Sequence, residues 1–306
     1  MKKKQPIGFI FALVAGICWG FSGTVGEYLF SHSSVNNGWL TAVRLLSSGA
    51  ILLIISAVRE PASVAAVWKD RRDALHLIFF GIAGLMAVQY CYMEAIYYSN
   101  SGTATAVQYS GEALLLIYTC FRARRLPKAS EFLGLLLALL GIFLLATHGR
   151  MSNMVLSPQG LFWGLAAALA LVVYTVSPGK LIQKYGNAPI VAYGMLIGGT
   201  VLAILVRVWQ LPGVDSAGSI LALATIVLVG TVLGFSLYLE STVLIGPLKA
   251  GLIASVETLS APFFSRIWLK TQFELPDYIG FVCIMAMVAF ISLPELLSQK
   301  QKSKIN

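Results

Sequence analysis

Apolar residues run along this chain in unbroken stretches of about 20, separated by short polar turns. A helix needs about that length to cross the hydrocarbon core of a bilayer, whereas a transmembrane β-barrel alternates over segments of about ten. The pattern predicts ten spans, at about 7–30, 38–58, 75–98, 102–121, 131–148, 160–178, 189–208, 218–240, 247–268 and 276–293. The expected fold is an all-α integral membrane protein with ten transmembrane helices. The longest polar connection runs from about Arg59 to Ala74, so no soluble domain is expected.

Composition agrees. Of 306 residues 58% are hydrophobic and 11% charged, with a mean hydropathy of +0.80, while soluble domains carry about 25% charged residues. A net charge of +9 would suggest nucleic acid in a soluble protein, but here the basic residues sort by side of the membrane. Of the 22 Lys and Arg, 17 fall on the side of the N-terminus, four (Arg150, Arg207, Arg266 and Lys270) on the other, and Arg44 within a span. That asymmetry predicts a multi-pass protein of the cytoplasmic membrane with both termini cytoplasmic and leaves no need for a nucleic-acid partner. The first span follows Lys2, Lys3 and Lys4 as a signal peptide would, but its apolar stretch is too long and no cleavage site stands out. Cys18, Cys91, Cys120 and Cys283 are isolated, so neither a disulfide framework nor a metal site is suggested.

The chain repeats. At a shift of 146 residues Gly84-x7-Tyr92-x-Glu94 falls on Gly230-x7-Tyr238-x-Glu240, and Glu131-x-x-Gly134 falls on Asp277-x-x-Gly280; Glu112 matches Glu257 at a shift of 145. The repeats are 1–150 and 151–306. Each holds five spans, an odd number, so the second copy enters the membrane inverted. Inverted repeats are the architecture of many secondary transporters, with the site near mid-bilayer at the repeat interface; the alternative is a duplication kept for packing. Gly16-x-x-x-Gly20, Gly194-x-x-x-Gly198 and Gly230-x-x-x-Gly234 allow close helix contact within one chain or across a homodimer.

These features resemble the EamA branch of the drug/metabolite transporter superfamily. The resemblance rests on Gly16-x-x-Trp19-Gly20, the lone Arg44, Glu94-Ala95-Ile96-Tyr97-Tyr98-Ser99 leading into span 4, and Gly134 and Gly280 opening spans 5 and 10. It implies a ten-helix carrier of small metabolites, amino acids or drug-like molecules, most often outward, and relatives of the superfamily include lipid-linked sugar translocases. The chain departs from the family's usual pattern at Arg124-Arg125 and Lys270-Thr271, where an acid is common, and at Ala113, where proline is.

Glu112 and Glu257 fall at the midpoints of spans 4 and 9. A charged group there costs about 2.5–3.5 kcal/mol even on the lenient insertion scale, so it faces a partner or a watery cavity. The pair is expected to line a central cavity and to hold a transported proton or the positive group of a small-molecule substrate; the alternative is a structural pair bonded to backbone or tyrosine. Thr105, Gln108, Tyr109 and Glu112 share a face of span 4, as a cavity wall requires. Trp19, mid-span, is expected to join Tyr109 and Tyr174 in an aromatic wall suited to organic cations. Glu94 and Glu240 lie near opposite membrane surfaces and are expected as gates, pairing with Arg44 and Lys249 respectively.

An ATP-driven pump needs G-x-x-x-x-G-K-[ST], and Gly179-Lys180 is followed by Leu181. Neither H-E-x-x-H nor G-x-S-x-G occurs, so no enzyme and no cofactor is expected. The leading expectation is a secondary carrier, an exporter of a small amphipathic, amino-acid-like or cationic solute; the runner-up is a lipid-linked sugar translocase.

Overall fold

The computed structural model describes residues 5–59, 61–150 and 154–305. Lys2, Lys3 and Lys4, three of the cations assigned to the inner side, lie outside these residues, as do the side chains of Lys300, Lys302 and Lys304. All regular elements among the described residues are helical.

Helices α1 (Gln5–His32) and α2 (Asn37–Arg59) are continuous. A short α3 (Pro61–Ala66) and a 3-10 turn occupy what the sequence suggested was a polar loop. Next come α4 (Arg71–Phe79), a π-helical stretch (Phe80–Met86) and α5 (Ala87–Tyr97), which run on as one rod. They are followed by α6 (Ser101–Tyr109), α7 (Gly111–Arg122), α8 (Ala129–Thr147), α9 (Pro158–Val176), α10 (Gly179–Tyr185) and α11 (Asn187–Leu205). A second rod joins α12 (Ala217–Thr225), a π-helical stretch (Ile226–Leu233) and α13 (Gly234–Ile245). The chain ends with α14 (Pro247–Ala254), α15 (Glu257–Trp268) and α16 (Leu275–Ile305).

Eight of these stretches are long and apolar enough to cross a membrane. The sequence suggested two more unbroken spans, 102–121 and 247–268, and the structure breaks both near the middle. The local pattern is the same in each. At the first break the Ser110 hydroxyl donates to the Val107 carbonyl at 2.6 Å, and the Ser110 N–H donates to the same carbonyl at 3.1 Å. At the second the Ser255 hydroxyl donates to the Leu252 carbonyl at 2.6 Å, and the Val256 N–H donates to Ile253 at 3.1 Å. A serine hydroxyl that takes a backbone carbonyl competes with the α-helical ladder, and i→i−3 bonds tighten the chain into a 3-10-like turn.

The rods pack in pairs: α2 on α11, α8 on α16, α1 on α13, and α9 on α5. Small residues set these distances. A Cβ on Gly198 would stand 2.6 Å from the Gly81 carbonyl oxygen, so α11 meets the first π-helical stretch backbone to backbone. Close approach of this kind is how helices gain packing energy where lipid is as apolar as the side chains.

Gly198→Ala is therefore expected to destabilise the protein by about 1–3 kcal/mol, the usual cost of overpacking. Gly179→Ala, with no neighbour within 4 Å of the added carbon, should change little. Thermal unfolding of the two variants in detergent checks the contrast.

Candidate functional site

The two breaks bring polar groups into the bundle interior. Each is followed within two residues by an acid, Glu112 in the first turn of α7 and Glu257 in the first turn of α15. That position suits a carboxylate, because the free N–H groups of a helix start carry partial positive charge. Both acids line one cavity of about 590 Å³, within the usual range for small-molecule sites. Glu257 is buried and accepts a hydrogen bond from the Tyr109 hydroxyl at 2.9 Å, across from the other broken helix. Glu112 is half-buried and has no hydrogen-bond partner among the described residues.

Gln108, Tyr109, Trp19 and Tyr174, expected at the site from their spacing, all face this cavity. Trp19 packs its ring on Phe235 and Tyr238, each with centroids 5.2 Å away, and Tyr174 stacks on Phe80 at 5.8 Å. The gate pairs are arranged differently from the expectation. Arg44 is buried in the cavity wall, and its Nε donates to Thr231 Oγ1 at 3.0 Å rather than to Glu94. Thr231 belongs to the second π-helical stretch, whose widened turn presents its hydroxyl to α2. Glu94 sits half-buried on α5. Glu240 pairs with Arg59 at 3.4 Å, not with Lys249, and no ion pair among the described residues includes Lys249.

The cavity is lopsided along the bundle. One end carries Arg59, Arg71, Arg72, Arg125, Lys128 and Lys184 in and beside its connections, and the lining reaches that end through Pro178, Asn187, Val243 and Pro247. A second recess of about 370 Å³ meets the first at Glu112 and leads past Thr119 to Arg125, Lys128 and Glu131. Arg125 grips Glu131 with two bonds of 2.6 and 2.9 Å, and these hold its guanidinium above the ordinary arginine range. Across the same end Lys184 donates to Asp73 at 2.6 Å, a bond that pushes its ammonium above the usual lysine range.

At the opposite end of the bundle sits a residue the sequence reading passed over. Glu27 of α1 is buried and accepts from the Ser101 N–H at 2.9 Å, the Ser265 hydroxyl at 2.9 Å and the Thr271 hydroxyl at 2.9 Å. One carboxylate thus ties α1 to the start of α6 and the end of α15. Beside it Trp268 stacks on Phe21 and Tyr28, with centroids at 5.7 and 5.3 Å.

A helical bundle with broken helices around a polar cavity invites comparison with known carriers. The EamA-like transporter family matches this chain twice, over residues 6–147 and 158–293. The chain belongs to the EamA-like transporter family. It is thereby a multi-pass membrane transporter and not an enzyme. An uncharacterized inner membrane transporter of Salmonella typhimurium, YicL, is 35% identical over 286 residues, covering 94% of this chain and 95% of that protein. An uncharacterized Bacillus subtilis transporter, YetK, is 23% identical over 92% of this chain and 86% of its own length. A solved crystal structure at 18% identity shares the fold with a TM-score of 0.65, covering 94% of this chain and 96% of that one. The two family matches leave residues 148–157 of this EamA chain between them.

The two ends of the cavity predict a contrast in stability. Glu27→Ala removes charge-assisted bonds that typically contribute about 1.5–3 kcal/mol each, and leaves the Ser101 N–H buried without its acceptor. It should lower the unfolding temperature by several degrees. Arg59→Ala breaks an ion pair whose side chains are 68% and 53% exposed, and exposed pairs contribute about 0–1 kcal/mol, so its unfolding temperature should barely move.

Proposed function

We propose that this chain is a secondary-active exporter of a small amphipathic solute, amino-acid-like or cationic, working by alternating access around the cavity of Glu112 and Glu257. In this proposal α6–α7 and α14–α15 are two further crossings, giving ten, and residues 1–150 and 151–306 are inverted repeats. The observation that carries it is the pair of acids, each just past a serine break in equivalent helices and both facing one cavity that reaches a single end of the bundle. The π-helical stretches opening at Phe80 and Ile226 and the symmetric helix pairing support the repeat.

The basic end is cytoplasmic in this proposal, by the excess of Lys and Arg on cytoplasmic loops. The cavity is then open to the inside, the state in which an exporter takes up its solute. Closure at the far end by Glu27 and its donors is the outer gate; rocking one repeat against the other breaks it and closes the basic end. The two acids bind the solute's positive group, or a proton that travels in exchange for it. Gln108 and Tyr109 on α6, with Trp19 and Tyr174, position the solute between them.

Counterflow in proteoliposomes tests the proposal, with Glu112→Gln and Glu257→Gln beside the wild type. Each substitution keeps the shape and removes the charge, so a drop of at least tenfold in rate is expected from both. Undiminished counterflow in both variants would overturn the role of the acids.

A further inference from the structure

Each residue of the Glu27 clasp has an equivalent in the other half of the chain. Helices α7 and α15 are both 12 residues long and start 146 residues apart, as α6 and α14 do. Arg124 and Lys270, again 146 apart, are both left-handed, with φ of +49° and +59°. At that shift Ser101 corresponds to Pro247, Ser265 to Thr119 and Thr271 to Arg125. For α1 and α9 the register comes from Gly8 and Gly160, 152 apart. It also sets Ala12, which clusters with Ala250 and Ile253, on Gly164, which lies against Val107, the equivalent of Ile253. Glu27 then corresponds to Gly179.

The equivalents lie at the basic end. Pro247 lines the cavity, as does Pro178, next to Gly179 in the chain; Thr119 and Arg125 line the second recess, which meets the cavity at Glu112. None of the four is free to do what its equivalent does. Gly179 brings no carboxylate, and a Cβ there would meet nothing within 4 Å. Pro247 has no N–H, whereas the Ser101 N–H donates to Glu27. Thr119 gives its hydroxyl to the Leu116 carbonyl at 2.8 Å, and the Arg125 guanidinium is held by Glu131.

From this contrast we infer that the clasp is one-sided: Gly179, Pro247, Thr119 and Arg125 form an inner gate without a polar latch, and the empty carrier rests open to the cytoplasm, held there by the hydrogen bonds of Glu27. The inference rests on the transporter proposal and adds to it what sets the resting state. Two gates with the same latch would leave the inward and outward states close in energy, because each change would exchange one set of bonds for the other. Here the donors around Glu27 are lost when the outer gate opens, and nothing of the kind forms at the inner gate in return. A carboxylate separated from its donors is costly unless water or a solute meets it. The outward state is therefore the minor one until a solute binds it better, since a ligand shifts such an equilibrium only by its differential affinity. An acid at position 179 would supply the missing latch, with Arg125 and Thr119 as its donors.

The test uses Leu248→Cys in a chain whose four native cysteines are replaced. Leu248 lines the second recess, and its equivalent at the outer end, Gly102, is buried, so a thiol at 248 reports whether the inner gate is open. Its rate of reaction with a membrane-impermeant maleimide is measured in inside-out vesicles, which present the cytoplasmic face. Reaction should be fast in this parent. Gly179→Glu should slow it by at least about tenfold, the shift that one charge-assisted hydrogen bond produces, while Gly179→Gln, which fills the same space without the charge, should leave it near the parent's rate. Glu27→Ala, at the other end of the bundle, should slow it too, because it removes what holds the inner end open; that variant carries the test if Gly179→Glu fails to fold. Slow reaction in the parent would overturn the one-sided clasp, as would equal slowing by Gly179→Glu and Gly179→Gln, or an unchanged rate in folded Gly179→Glu or in Glu27→Ala. Access to a cysteine at position 108 separates this failure from that of the transporter proposal. Reaction there from both faces, with the rates at 248 unmoved, keeps alternating access and discards the one-sided clasp; reaction from one face alone in every variant contradicts both.

Discussion

An ionised side chain inside a bundle of apolar helices costs several kilocalories per mole unless a partner, a helix end or a solute meets it, and much of this architecture follows from where that cost is offset. Glu112 and Glu257 sit at fresh helix starts, just past the serine hydroxyls of Ser110 and Ser255 that bond a backbone carbonyl. Arg44 is held by a threonine on a π-helical stretch. Glu27 is surrounded by three donors. Continuous helices would leave the first two acids on regular helix faces.

The same devices separate the rigid from the movable. Continuous rods meet through glycines, with α2 on α11 and α8 on α16 approaching backbone to backbone, and such contacts tolerate little sliding. The broken helices α6–α7 and α14–α15 each have a tight turn in place of a full ladder, and each packs near the cavity. Glu27 joins α1, α6 and the chain beyond α15 by a single carboxylate, so a modest change at one residue releases three elements at once. A bundle with firm pairs and one polar clasp is suited to two discrete arrangements, which is what alternating access requires.

Much of this was legible in the residues. Helical crossing lengths and the basic bias of one end follow from hydropathy and charge along the chain, and Glu112 and Glu257, singled out by their mid-span places, both line the cavity. Of the stripe Thr105, Gln108, Tyr109 and Glu112, the last three line the cavity, while Thr105 is buried with its hydroxyl 2.8 Å from that of Tyr92. The breaks were less legible: Ser110 and Ser255 bond a carbonyl three residues back, but Thr119 and Thr242 do the same inside unbroken helices, so no residue type alone marks a break. Arg44 was misplaced because its partner, Thr231, is 187 residues away and no periodicity links them. Glu27 was passed over although an acid within the first span was itself a signal; attention to span midpoints favoured the other two. Glu240 was paired with Lys249 as a cation at the same membrane surface, whereas the end of α2 brings Arg59 to it in space.

The central claim is that one cavity, closed by Glu27 at its far end, is reached from each side of the membrane in turn. It is tested most directly by the accessibility of a single cysteine at position 108, with Cys18, Cys91, Cys120 and Cys283 replaced, to a membrane-impermeant maleimide applied from either face. The account predicts fast reaction from the cytoplasmic face, slow reaction from the outer face, and a shift toward the outer face when Glu27→Ala is added. Reaction from one face alone, unchanged by that substitution, would contradict it.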